Sequence, residues 1–587
     1  MLVSGIKNFG NNLFFGRKLR PDEEQDYRQN ALQPALDYLG TKEVAMIIHG
    51  TSYPESNNDI GVGSPYGKVA AQLIPFEILH GFNANQLGPV GVIRDAQHVS
   101  PYTSTVSSRN YLFLDMEKLT TDDYANILSK DDINKVFNHP KNNGKNYSYS
   151  EFADAFANYQ YCMKIANKNF KKELAQNNPV AQNLNDEFTQ FKKAKGQQVY
   201  DEALFDVLAK TYATDDFNKW DEIDKNILIR VKENDPVGRS KDDFDAFVFG
   251  QFLLDKQIKE NTKMRKSLGF EYINDLLVGF SKSDEWAHQD LFLKDYRMGC
   301  PDGGMYGPQM WDVPVLNPNK LFNEDGSLGD AGRYLKTKIE SALEDFDNVR
   351  IDHALGLIDP YIYDKNSIAY SNGRVDMGRF RAGNISNMQE IDPNGNYKRV
   401  INEIVLPILE EHGIDKNYPV WEDLGTDTPV FNEIYHQKNH LPGITQLEYM
   451  RAQDSQDPDD WGLIGSHDSD PAMKMIKKDW VRGHNAWNIF YLAGFLNSNP
   501  ARAQYRDEFC KKIDNDDRER VKAKFAELFL TCKKIQISFA DFFGIDKTYN
   551  EGGKENNRNW KLRLNKDYED SYYKILASEH PTALNMP

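Results

Sequence analysis

Cysteine is scarce: four in 587 residues, Cys162, Cys300, Cys510 and Cys532, far apart and without a CxxC pair. That spacing excludes a disulfide framework and a structural zinc site, and it fits a reduced, cytoplasmic compartment. Long apolar runs are also missing. The most apolar stretch, residues 486–496, is broken by Asn488 and falls well short of the roughly 20 residues that span a bilayer. The first 20 residues show no apolar core behind a basic start, so no signal peptide is read. Positive charge is in deficit, with 71 Lys and Arg against 88 Asp and Glu and a net charge of −17. An acidic chain without a Lys/Arg run is a poor partner for nucleic acid or an anionic membrane. No repeat of fixed period and no low-complexity linker interrupts it.

What is present is an ordinary globular composition, 40% hydrophobic and 27% charged, with 30 Tyr and 8 Trp to fill a core or stack on sugars. Short apolar or β-branched runs recur at 44–49, 84–90, 273–281, 349–352, 420–422, 444–447, 463–466 and 535–539. Several are apolar at consecutive positions, as strands buried on both faces are. Helical periodicity separates most of them, for example over 331–346 and 401–411. Alternating strand and helix implies a parallel sheet, and eight strands permit a closed (β/α)8 TIM barrel.

One interval breaks the rhythm. More than 150 residues separate the second and third strands, mostly of helical pattern. Ser150 is placed to cap a helix whose Phe152, Phe156, Tyr159 and Met163 share a face, and Phe247, Gln251, Leu254 and Ile258 repeat the theme. Residues 120–269 are read as a helical subdomain inserted in a barrel loop, with an exposed turn at 138–147. The barrel then comprises 1–119 and 270–587, and the insertion shapes access to its site.

Three acidic motifs each place a carboxylate just past an apolar run: Arg350-Ile351-Asp352-His353, Trp421-Glu422-Asp423 and Ser466-His467-Asp468-Ser469-Asp470. In a parallel barrel the C-terminal strand ends carry the chemistry. Asp352 and Glu422 end consecutive strands about 4.8 Å apart, compatible with the separation of about 5–5.5 Å that glycosidic cleavage with retention requires. Arg350, two residues before Asp352, faces the same way and is expected to hold it ionised. Glu422, near that negative charge, is expected to be the protonated partner. Asp468 is positioned to stabilise an oxocarbenium-like transition state or bind hydroxyls, and His353 and His467 to donate hydrogen bonds to the sugar. Any one such motif alone is commonly a structural ion pair or a turn. Other signals are weaker. Residues 61–67 have the wrong glycine spacing for a dinucleotide loop, 436–440 lack the glutamate of a zinc helix, and the acidic 454–460 lack calcium-loop spacing. No metal site is expected.

Together the motifs resemble the catalytic segments of the amylomaltase, or 4-α-glucanotransferase (disproportionating enzyme), family of the α-amylase superfamily, glycoside hydrolase family 77. The likeness extends to Cys300-Pro301-Asp302, Gln309-Met310-Trp311 and Pro314 in a lid-loop pattern, and to Gly88-Pro89-Val90-Gly91 followed by Ser100-Pro101-Tyr102. It also covers Gln251 with Gln257, Leu441-Pro442-Gly443, and Asn559-Trp560 with Arg563. The resemblance implies a retaining barrel enzyme without cofactor, acting on maltooligosaccharides and α-1,4-glucans. It implies Asp352 as nucleophile, Glu422 as acid/base and Asp468 as transition-state stabiliser. Arg350, His353 and His467 would sit beside them, and Asp302, Gln309, Trp311, Tyr102 and Ser100 would contact the glucan. The chain departs from the family pattern at Ala354-Leu355, at Gly303-Gly304 in the lid and at 550–554, which bears on chain-length preference and lid behaviour. An α-glucan hydrolase on the same barrel and a non-catalytic glucan-binding protein are the alternatives.

Overall fold

The computed structural model describes residues 21–137, 149–227, 241–300, 309–365, 370–371, 374–375, 385–423, 428–447, 459–478, 506–551 and 557–576. Eight strands form one sheet: β1 Glu43–Ile47, β2 Ala84–Gln86, β3 Glu271–Leu276, β4 Asn348–Ile351, β5 Val420–Trp421, β6 Ile444–Gln446, β7 Trp461–Leu463 and β8 Lys534–Ser538. Their order is β5-β4-β3-β2-β1-β8-β7-β6 and every paired neighbour is parallel. This is a nearly closed (β/α)8 barrel in chain order. β1 lies between β2 and β8, with Glu43 opposite Lys534 and Ile47 opposite Ser538. Seven of these strands coincide with apolar runs seen in the sequence, while β7 starts two residues before its run and meets it at Leu463. The ladders are shorter than the runs because apolar residues past β2 and β3 stay buried while leaving the sheet, Gly88 turning the chain at φ +66°.

The strands face apolar surroundings on both sides, which explains their unbroken hydrophobic pattern. Inside the barrel Ala45, Ala84, Ile273, Val420 and Trp461 form a cluster with Tyr418 and Ile444. Two alanines leave the room that Trp461 fills, the large-small complement of a packed barrel interior. Side chains of β4 and β7 meet at the carbonyl two residues before β5. The Tyr418 carbonyl accepts from Asn348 Nδ2 and from Trp461 Nε1, both at 3.0 Å. Outside, Val44, Met46, Ile535 and Ile537 join a large core with the surrounding helices.

Helix α1 Lys68–Leu79 connects β1 and β2. Between β2 and β3 run α2 Phe152–Ala175, α3 Pro179–Tyr212 and α4 Lys241–Ser267. Phe152, Tyr159 and Met163 on α2 are buried in that same core, as are Phe247, Leu254 and Ile258 on α4. Ser150 does not cap α2. Its hydroxyl donates to the Thr51 carbonyl at 2.9 Å, and Glu151 holds the cap position without a side-chain bond. Helix α5 Asp330–Leu343 leads into β4. The expected exposed turn at 138–147 and the apolar stretch at 486–496 lie outside the described residues.

A second sheet is not foreseen by the barrel pattern. Phe292–Cys300, Gln309–Leu316, Tyr361–Asp364 and Ile385–Asn387 form four antiparallel strands in the excursions after β3 and β4. This sheet carries Gln309 and Trp311, which the sequence reading places in a lid loop.

Gly462 in β7 lies where an added Cβ would strike Cys532 and Leu528. Gly462→Ala is expected to overpack this contact and lower stability by about 1–3 kcal/mol, read as a reduced urea midpoint at unchanged m-value.

Candidate active site

Arg350 sits at the centre. On β4, Val349 and Ile351 face the outer core, whereas Asn348 and Arg350 point into the barrel. Register sets Arg350 between Asp275 of β3 and Val420 of β5. Its Nη1 donates to Asp275 Oδ1 at 3.0 Å and to Asp352 Oδ1 at 2.9 Å, and its Nη2 donates to Glu422 Oε1. The two carboxyl residues come level because both still follow the ladder. The Asp352 N–H donates to the Leu276 carbonyl at 3.2 Å, and the Glu422 N–H to the Ile351 carbonyl at 3.0 Å. The next N–H, that of His353, donates to Glu422 Oε2 at 2.8 Å, and His353 itself turns the chain away in the left-handed region at φ +42°. The Asp352 and Glu422 carboxyls are hydrogen-bonded to each other.

Three carboxyl groups around one guanidinium cannot all stay ionised out of water. Burial raises the Asp352 carboxyl well above its ordinary range; Arg350 opposes this, and the charges of Glu422 and Asp275 reinforce it. Burial acts on Glu422 too, but Arg350, the His353 N–H and the Asp352 hydroxyl together draw it down to about 2. The two directions, Asp352 up and Glu422 down, run opposite to the expectation of an ionised Asp352 beside a protonated Glu422. The reason is local. Arg350 reaches both carboxyls, and the His353 amide adds a second donor to Glu422 that no motif reveals.

Across the barrel mouth, His467 lies parallel to Tyr102, with ring centroids 5.1 Å apart and an interplanar angle of 17°. Tyr102 OH donates to Asp275 Oδ2 at 2.7 Å and sits 3.5 Å from His467 Nδ1. His467 Nε2 is 3.4 Å from Asp468 Oδ2, and Asn550 Nδ2 donates to the other Asp468 oxygen. Asp468 itself is half exposed, with 49% of its side chain accessible. Asp352 and Asp468 both act electrostatically on the Tyr102 hydroxyl, as does Asp275. The three motif carboxylates thus converge on one region.

Sequence reasoning passes over several members of this wall. His49, just past β1, packs 5.2 Å from His467, 4.7 Å from Tyr549 and 5.8 Å from Trp560. His49 and Asp275 both belong to strand runs recognised in the sequence, and the strand-end argument that selects Asp352 extends to them. Burial takes the His49 imidazole well below its usual pKa and His353 down to about 4. Both rings are neutral hydrogen-bonding groups near pH 7.

Trp311 stands edge-on to His353, centroids 4.8 Å apart at 87°, and its Nε1 donates to Gln309 Oε1 at 3.0 Å. Ser100 Oγ accepts the Tyr102 N–H at 3.3 Å. Beside these residues opens a cavity of about 840 Å3, lined by Ser100, Trp311, Trp560, Phe205, Phe247 and Glu202 among others. It adjoins the carboxylates without containing them, and Trp311 and Trp560 border both. Asp302 lies outside the described residues, as does the rest of 301–308. Among the described residues no group of three His, Cys, Asp or Glu side chains is arranged to hold a metal ion, and no helix is long and apolar enough to cross a membrane.

Two touching carboxyls at adjacent strand ends, a guanidinium between them and a third carboxylate opposite make up the equipment of retaining glycoside chemistry on a parallel barrel. The family model for 4-alpha-glucanotransferase matches residues 49–568, and the chain belongs to that family, glycoside hydrolase family 77. It is 30% identical over 166 residues to the chloroplastic/amyloplastic 4-alpha-glucanotransferase DPE1 of Oryza sativa subsp. japonica, covering 27% of each chain. It is 25% identical over 340 residues to the chloroplastic/amyloplastic 4-alpha-glucanotransferase of Solanum tuberosum, covering 55% of this chain and 54% of that one. These matches therefore span about half or less of the curated relatives. Among solved structures, the amylomaltase from Streptococcus agalactiae in complex with acarbose superposes with a TM-score of 0.68 at 18% identity, over 92% of this chain and 99% of that one. The amylomaltase from Corynebacterium glutamicum gives 0.64 at 16%, over 93% and 76%. These two likenesses show the fold.

The proton placement has a spectroscopic signature. At neutral pH the wild type is expected to show the infrared carbonyl stretch of a buried carboxylic acid that is absent from Asp352→Asn. Glu422→Gln should lose it too, because without the Glu422 charge Arg350 ionises Asp352. Persistence of the band in both variants would place the proton on another group.

Proposed function

We propose that this chain is a retaining 4-α-glucanotransferase that moves α-1,4-glucan segments between maltooligosaccharides. The observation that carries the reading is the joint grip of Arg350 on Asp352 and Glu422 inside a barrel of this family. A glucan entering between the carboxyls breaks their mutual hydrogen bond, and the proton passes from Asp352 to Glu422. Glu422 then protonates the glycosidic oxygen as Asp352 attacks the anomeric carbon. The C–O bond to the leaving chain breaks and an ester to Asp352 forms. The 4-hydroxyl of an acceptor attacks that ester, gives its proton to Glu422 and expels the Asp352 carboxylate. Asp468 stabilises positive charge on the ring in both steps. His353 and His467 donate to sugar hydroxyls, and Tyr102, Ser100, Gln309, Trp311 and Asp302 hold the chain.

The aromatic cavity beside the carboxylates supports binding of further glucose units, and the acarbose bound to the streptococcal amylomaltase supports an α-glucan substrate. The same reading treats 1–119 and 270–587 as the catalytic barrel and 120–269 as its insertion. The free thiols Cys162, Cys300 and Cys532 support work in the cytoplasm.

Purified protein given maltotriose is expected to release glucose and build longer oligosaccharides. Asp352→Asn should lower kcat on the order of 10^4-fold or more. Glucose and maltose alone would make it a hydrolase. Glucan binding without turnover, unchanged by Asp352→Asn, would make it a binding protein.

A further inference from the structure

The helices between β2 and β3 grip the main chain that presents Tyr102. The loop after β2 is pinched at its base. Gly91 bridges Arg109, the Asn110 N–H donates to the Val90 carbonyl at 2.8 Å, and the Val92 N–H donates to Thr105 Oγ1 at 3.2 Å. Ser100 and Tyr102 lie between these ties.

Just past Tyr102, three side chains of α3 and α4 take hold of backbone. Glu202 accepts the Ser107 N–H at 3.1 Å and the Ser108 N–H at 2.9 Å, one on each carboxyl oxygen. Gln251 accepts the Arg109 N–H at 2.9 Å and donates to the Arg109 carbonyl at 2.7 Å. Gln257 does the same for Asp115, at 2.8 and 3.0 Å. The Arg109 guanidinium then reaches the Ser341 carbonyl on α5 at 2.5 Å. All three clamping side chains are buried. Buried polar groups spent on backbone in this way fix a loop at the cost of any alternative position.

The two glutamines brace the segment from Arg109 onward. Of the three clamping side chains, Glu202 holds the stretch nearest Tyr102, together with Ser341, whose hydroxyl donates to the Val106 carbonyl at 3.0 Å, and with the tie between Val92 and Thr105; Glu202 also lines the cavity beside the carboxylates. From Tyr102 the contacts continue through Asp275 to Arg350 and so to Asp352 and Glu422. We infer that Glu202 is a positioning residue for the transfer reaction: from a helix outside the barrel it fixes the Ser107–Ser108 backbone and thereby sets Tyr102 against Asp275. This rests on the reading of the site as a glucan-transferring one. It gives the inserted helices a task in the reaction that the opening of the site to solvent does not require.

The test is a double-mutant cycle of Glu202→Gln with Tyr102→Phe, read in kcat and KM on maltotriose and, separately, in maltotriose affinity by calorimetry. In Glu202→Gln the amide oxygen satisfies one N–H and its NH2 group opposes the other. The expected loss is between about 10- and 100-fold in kcat, with KM moving far less. In the Tyr102→Phe background the same change should cost no more than about twofold. Independent, multiplying losses in the two backgrounds would overturn the inference and leave Glu202 a stabilising residue only. Should Glu202→Gln fail to fold, Glu202→Asp, which keeps the carboxyl group and withdraws it by one methylene, enters the same cycle with the same expectation. If the wild type binds maltotriose without turning it over, the transferase reading fails and the inference, which concerns that reaction, falls with it; independent losses in an active enzyme overturn the inference alone. If it neither binds nor turns over maltotriose, both fall.

Discussion

One cation holds the catalytic end of this barrel together. Arg350 is buried and bonded to carboxyl groups from three consecutive strands or strand ends, Asp275, Asp352 and Glu422. Charges out of water are tolerated only when paired and hydrogen-bonded, and removing one partner from a buried pair costs about 3–5 kcal/mol. The guanidinium suits the place because its planar fork can serve separate acceptors at once, which a lysine ammonium cannot do with the same rigidity. The remaining acceptor capacity is filled too: Tyr102 serves Asp275 and the His353 amide serves Glu422. The site is therefore a network in which the position of each carboxyl depends on the others, all of them answering to one positive charge.

The barrel could be read in the sequence because its strands are buried on both faces and so leave unbroken apolar runs. Val44–Ile47 and Val349–Ile351 show this clearly. β7 was read two residues late, since Trp461-Gly462 looks like a break; the glycine is there because Cys532 packs directly against it. The carboxylates could be read because function collects where strands end. What no spacing rule conveys is the geometry that a backbone turn creates. The chain leaves β4 so that the His353 amide meets Glu422 and adds a donor that lowers it, which the motif alone does not show. His49 and Asp275 went unselected since neither sits in a multi-residue motif, though both occupy strand runs. Gln309 and Trp311 were seen as landmarks of the family, whereas the antiparallel sheet that carries them was not, its strands being interleaved with barrel elements and too polar in part to register as buried runs.

The helices between β2 and β3 show the same division. Their apolar faces follow from the periodicity of Phe152, Tyr159, Phe247 and Leu254, and they bury into the core shared with β1 and β8. Their polar residues carry a different message. Glu202, Gln251 and Gln257 occupy buried positions on helices whose pattern alone would put apolar side chains there, and each is spent on loop backbone. A buried polar side chain inside an otherwise apolar face is thus the mark by which such contacts can be sought.

The pairing of β1 with β8 has a consequence for how the molecule is made. Glu43 meets Lys534, so one flank of the first strand stays without its neighbour until nearly all of the described chain has left the ribosome. Contacts of such long sequence separation are slow to form, and an unpaired strand edge invites association with other chains. During synthesis the nascent barrel is an open, curling sheet whose first and last strands have yet to meet. Until that late ring closure the exposed edges of the first and last strands are where aggregation is invited.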